Sequence, residues 1–173
     1  MKLTKIFLLA CVCATLVSCQ IFPSREGKPA AVKDASLDAK INPKEKTNTQ
    51  QSVIEIVPMM NSAVKSLYYQ AQRDFKNNFF TQAIASLERA YQIQPQAPEV
   101  SQLLAEIYLH EGDFKQAHYW ATIATSNGPS KGKSCEKSWR ILALAAEQLG
   151  YFANQANALE KQQNCLVIRP NRY

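Results

Sequence analysis

The chain has 173 residues, 20% of them charged and 46% hydrophobic, with a net charge of +6. That length fits one modest folded domain with extensions. The basic residues are spread along the chain, and no Lys/Arg run reaches the density of a nucleic-acid-binding patch, so no nucleic acid partner is expected.

The first segment is the most apolar. Lys2 and Lys5 precede a run from Ile6 to Val17, which is shorter than the ~20 residues a membrane-spanning helix needs. With small residues after it, residues 1–18 read as a signal peptide. Leu16-Val17-Ser18-Cys19 resembles a bacterial lipobox, which implies cleavage before Cys19 and acylation of that cysteine. Multiple acyl chains would hold the protein stably, since one chain binds only marginally. The resemblance, with Gln20 rather than Asp after the cysteine, implies the outer membrane, facing the periplasm. Loss of Lys2 and Lys5 leaves 18 basic against 14 acidic residues, a mature net charge of +4.

Residues 19–57 are rich in Pro, Lys, Asp, Ser, Thr, Asn and Gln, without sustained periodicity. Such composition buries too little apolar surface to offset chain entropy, so it reads as a disordered tether. About 35 flexible residues have a root-mean-square span of roughly 30–35 Å and a stretched length above ~100 Å. Val53 to Val57 alternates weakly, and its docking on the domain is open.

Helical spacing begins after Pro58, with Asn61-Ser62 as a helix start, and the folded domain is placed at 58–173. Its clearest unit is 98–131, with Leu104-Ala105, Tyr108, Gly112, Phe114, Ala117, Ala121, Ala124 and Pro129. A lone helical hairpin cannot bury its apolar face, which makes recurrence the first question. Ala71, Phe80, Ala83, Ala90 and Pro95 precede Ala105, Phe114, Ala117, Ala124 and Pro129 by 34 residues each. Asn77-Asn78 stands where the later copy has Gly112, and Asn tolerates the left-handed backbone that Gly favours. Trp139, Leu142-Ala143, Gly150 and Phe152 repeat the pattern at an offset of 38, with the excess in the Pro129–Ser134 loop. Gln155 and Gln162 replace the small packing residues, as suits a terminal copy facing water.

These residues resemble the tetratricopeptide repeat family, with its pattern W-x2-L-G-x2-Y, A-x3-F and P on a 34-residue period. The first copy has Leu67, Gln70 and Asp74 at pattern positions, and the second has Ser101 for the tryptophan. The resemblance implies an all-α superhelix of about three helical hairpins, at 64–97, 98–131 and 136–165. It implies protein or peptide binding rather than one reaction.

Cys135 and Cys165 bracket the third hairpin. Antiparallel helices turning at Gly150 place residues summing to about 300 opposite each other, as this pair does, so a disulfide is the natural reading. Free thiols or a redox pair are the alternatives. His110 and His118 lie on different helices, and a metal site between them competes with simple surface histidines. With no phosphate loop and no nucleophile motif, neither an enzyme nor a cofactor is called for.

In the repeat family the first helix of each hairpin lines a concave groove. Carried onto this chain, the groove would present Lys65, Tyr68, Gln72, Phe75 and Lys76, then Gln102, Glu106, Leu109 and His110, then Arg140 and Glu147. Tyr68 and Phe75 are either interface anchors or packing surface for Val53 to Val57. The function expected is a membrane-anchored periplasmic scaffold for an envelope partner: secretin or pilus biogenesis, outer-membrane assembly, or a peptidoglycan-enzyme adaptor. A self-associating structural module is the alternative.

Overall fold

The computed structural model describes residues 34–44 and 59–166. The signal peptide, Cys19 and the Val53–Val57 segment lie outside them. Among the described residues there are seven helices and no strand: α1 Ala35–Ile41, α2 Ser62–Lys76, α3 Phe80–Ile93, α4 Pro98–Glu111, α5 Phe114–Asn127, α6 Lys133–Gln148 and α7 Phe152–Asn164. All belong to one compact unit, Ala31–Tyr173.

Helices α2 to α7 form three antiparallel hairpins, each second helix packing on the next hairpin's first. Local chemistry sets their ends. Asn61 caps α2, its side chain accepting from Val64 N–H at 2.8 Å, and Asp113 caps α5 through Gln116 N–H at 3.1 Å. Pro98 opens α4 at a position where a missing N–H costs nothing.

The three hairpin turns are one motif repeated. Asn78, Gly112 and Gly150 have φ of 63°, 73° and 70°. After each, the next N–H reaches back to close the helix: Phe79 to Asp74 O at 2.8 Å, Asp113 to Tyr108 O at 2.9 Å, and Tyr151 to Ala146 O at 2.9 Å. This closure satisfies carbonyls a helix end otherwise leaves open. Asn78 therefore takes the backbone shape expected of it by alignment with Gly112.

Small residues let the layers approach. Ala71, Ala83, Ala90, Ala105, Ala117, Ala121 and Ala124 are fully buried. Burial differs sharply along the stack. Eleven of the 14 residues of α4 are buried, Glu106 and His110 among them, whereas α7 buries only Ala158. The middle repeat is enclosed and the last one faces outward, with Gln155 and Gln162 only half-buried.

Two expectations need correction. The third hairpin begins at Lys133 rather than near 136, because the loop ends earlier, at Gly132. More consequentially, the stretch read as a disordered tether contains a helix. α1 is capped by Asp34, whose carboxylate accepts from Ser36 N–H at 2.8 Å, and its last residue, Ile41, is fully buried in the common core.

Candidate functional site

The first helices α2, α4 and α6 pack side by side, and α1 lies against α6. The face they form is the groove, and α1 lies over its α4–α6 side. Ile41 inserts its side chain into the core, while its carbonyl accepts from Arg140 Nη1 at 3.0 Å. Asn42 Nδ2 donates to Glu106 Oε1 at 3.1 Å and to Asp38 Oδ1 at 3.2 Å. Glu106 Oε2 pairs with Lys137 Nζ at 2.9 Å, and Arg140 also pairs with Glu136 on its own helix. A buried carboxylate is tolerable only when its oxygens are engaged in this way.

The carboxylate oxygens of Asp38 and Glu106 and a ring nitrogen of His110 lie within 4.8 Å of one another. Such a trio has the donor types of a metal site. Glu106, however, already has one oxygen on Asn42 and the other on Lys137, so the trio is better described as a polar network joining α1 to α4. Glu106 and His110 are spaced i, i+4, which sequence can reveal. Asp38 could be added only by knowing that α1 docks there. His118 is elsewhere: its ring meets Tyr151 edge-on at 5.8 Å, and burial lowers its pKa.

Two groups stand out among the expected groove residues. Glu106, Leu109, His110 and Arg140 are brought together beneath or beside α1. Lys65, Tyr68 and Gln72 lie along α2, outside that contact. Tyr68 is half-buried, its hydroxyl accepts from Gln72 Nε2 at 3.1 Å, and Lys65 Nζ sits 5.9 Å from the Tyr69 ring centre. Burial, with the Glu99 and Glu106 carboxylates adding to it, pushes the Tyr68 hydroxyl up to about 12. Phe75 belongs to neither group. It is 5% exposed and packs its ring against Phe80 at 5.5 Å and His110 at 5.4 Å. It is a core residue at the hairpin's turn end, not an exposed anchor, because the α2–α3 turn folds Phe80 over it.

Of the remaining expected residues, Gln102 ties repeats together. Its Nε2 donates to Ser134 O at 2.9 Å and Ser138 Oγ at 2.6 Å on α6. Lys76 and Glu147 are exposed. Beside α1 a cavity of about 330 Å³ stays open, lined by Leu37 and Lys40 on one side and by Leu109, Phe114, Leu144 and Gln148 on the other.

Cys135 and Cys165 form a disulfide with Cα atoms 5.7 Å apart. It closes the open end of the last hairpin, where Gly132 N–H also donates to Cys165 O at 3.0 Å and Lys131 Nζ reaches Asn164 O.

The tetratricopeptide repeat model matches residues 75–118, the second half of the first hairpin and most of the second. The globular C-terminal domain of P. aeruginosa LpoP is 31% identical in sequence and superposes with a TM-score of 0.53. The match covers 61% of this chain and 99% of that domain. The chain belongs to the same family of tetratricopeptide-repeat proteins as the LpoP domain. No curated protein sequence matches it. Family and fold together make this a protein-interaction domain. Among the described residues no helix is long and apolar enough to cross a membrane.

Proposed function

We propose that the protein is a lipoprotein scaffold of the bacterial outer membrane, anchored through acylated Cys19 and facing the periplasm. Its groove binds a protein or peptide partner of the cell envelope, and its role is binding rather than catalysis. The observation that carries this reading is the groove wall itself. Glu106, Leu109, His110 and Arg140 converge on one face, and an intramolecular segment already sits there. Of the three envelope roles, secretin or pilus biogenesis, outer-membrane assembly and adaptor to a peptidoglycan-synthesising enzyme, family membership with LpoP favours the last.

The test has two arms. Cys19→Ala should move the protein from the membrane to the soluble fraction. Crosslinking in the envelope, followed by pull-down, should recover a partner with wild type and lose it with Tyr68→Ala, a change on the groove helix α2 outside the α1 contact. Recovery of an unchanged partner set from Tyr68→Ala would place binding outside the groove.

Self-association is the second reading, and one observation favours it. Phe152 and Leu159 lie seven residues apart on α7, and they are 72% and 44% exposed. A mass measurement decides: a monomer at micromolar concentration removes it.

A further inference from the structure

We infer that α1 is an internal occupant of the groove which the partner must displace, and that the partner's binding segment shares its chemistry. That segment is a short helix ending in an aliphatic residue followed by a carboxamide, with a bulkier apolar residue one turn earlier. The inference rests on the groove reading above and deepens it.

Three observations support it. First, α1 is a seven-residue helix, far below the length at which an isolated helix persists in water. Its helicity is a product of docking, as for a bound peptide. Second, the hold is specific but small. Ile41 is its one fully buried residue. Polar contacts across to the repeats include Ile41 O with Arg140 and Asn42 with Glu106, and the Asp38 carboxylate lies close to His110. Ala35, Ser36, Ala39 and Lys40 are exposed. Third, α1 underfills its site, since the open cavity lies directly beside Leu37, one turn before Ile41. An occupant with a larger apolar side chain at Leu37's place would reach further into that space and gain contacts with Leu109, Phe114 and Leu144 that α1 lacks. A well-directed but incomplete fit is what an exchangeable internal ligand requires. Masking by α1 lowers the apparent affinity for any competitor by the fraction of time the groove is open.

The experiment uses the mature chain and, as probe, a synthetic peptide of residues 34–44 carrying Leu37→Phe. Ala39→Pro breaks α1 at an exposed position without touching the repeats. Binding is followed by NMR chemical shifts of backbone amides between 106 and 112 and between 140 and 144. In the Ala39→Pro chain these amides should shift at peptide concentrations about tenfold or more below those needed in wild type. The unsubstituted peptide should bind the Ala39→Pro chain more weakly than the Phe peptide does. Asn42→Ala in the full chain is a milder second opening, expected to lie between the two. Equal midpoints in wild type and Ala39→Pro, or no groove shifts in either up to about 10 mM peptide, overturn the inference. The groove reading has a separate fate. An envelope partner that crosslinks to the groove equally in wild type and Ala39→Pro preserves that reading while sinking the displacement model.

Discussion

Arg140 Nη1 donates to the carbonyl of Ile41 across 99 residues of sequence, at 3.0 Å. The bond fastens a helix near the N-terminus to the last repeat, at the point where α1 ends and needs acceptors satisfied. Hydrogen bonds to charged groups contribute about 1.5–3 kcal/mol. Arg140→Ala should therefore raise the opening of α1 by about tenfold or more while barely moving the global unfolding temperature. Hydrogen exchange checks this: amides of 38–42 should lose protection, and those of α4 should keep most of theirs.

The disulfide acts on the opposite end. Closing a loop of about 30 residues limits the unfolded chain, worth roughly 3–4 kcal/mol on the entropy model. The double substitution Cys135→Ser with Cys165→Ser should lower stability by about that amount in denaturant unfolding. Wild type should run faster than its reduced form on a non-reducing gel, and the double variant should show no such difference.

Tyr68 offers a pH signature. Its hydroxyl is held up to about 12 in the folded protein against an ordinary value of 10.0. A group whose folded value is raised contributes stability that is complete below its unfolded value and lost as pH rises through the folded one. Domain stability should thus decline between about pH 10 and 12. In an alkaline absorbance titration Tyr68 should ionise late, and Tyr68→Phe should remove that component.

At Gly150 a Cβ would meet no atom within 4 Å, yet φ is +70°. The cost of Gly150→Ala is therefore one of backbone conformation alone, about 1–2 kcal/mol. Gly150→Asn should cost less, since Asn78 holds the same shape in the first turn. Thermal unfolding of the two variants side by side is the check.

Ser101 fills the place where the repeat pattern has tryptophan, and its hydroxyl is buried without a hydrogen-bond partner. An unsatisfied buried hydroxyl costs about 1–3 kcal/mol. Ser101→Ala should leave stability unchanged or raise it by about 1 kcal/mol, read from the denaturation midpoint.

Much of the fold is legible because repetition makes each residue a statement about its counterparts. Asn78 could be aligned with Gly112, and the cysteine pair could be placed by symmetry about Gly150. The groove floor followed from helical spacing once the family was known. Phe75 could not be placed that way. It sits at the helix end, where side-chain direction depends on how the turn folds Phe80 back, and spacing does not report that. α1 is hidden in the sequence for a different reason. Its helicity comes from contacts with residues 64 and 99 positions away, while its own composition is that of a solvated chain. A faint signal was present in Asp34 as a cap, Leu37 and Ile41 at i, i+4, and Lys40 in the last turn.

The docking of α1 also closes the chain on itself. Through Glu106 on α4 and Arg140 on α6, a segment outside the three hairpins bridges the middle repeat and the last one. A partner that takes the groove would therefore also remove a clasp between those two repeats, leaving the angle between them free to change.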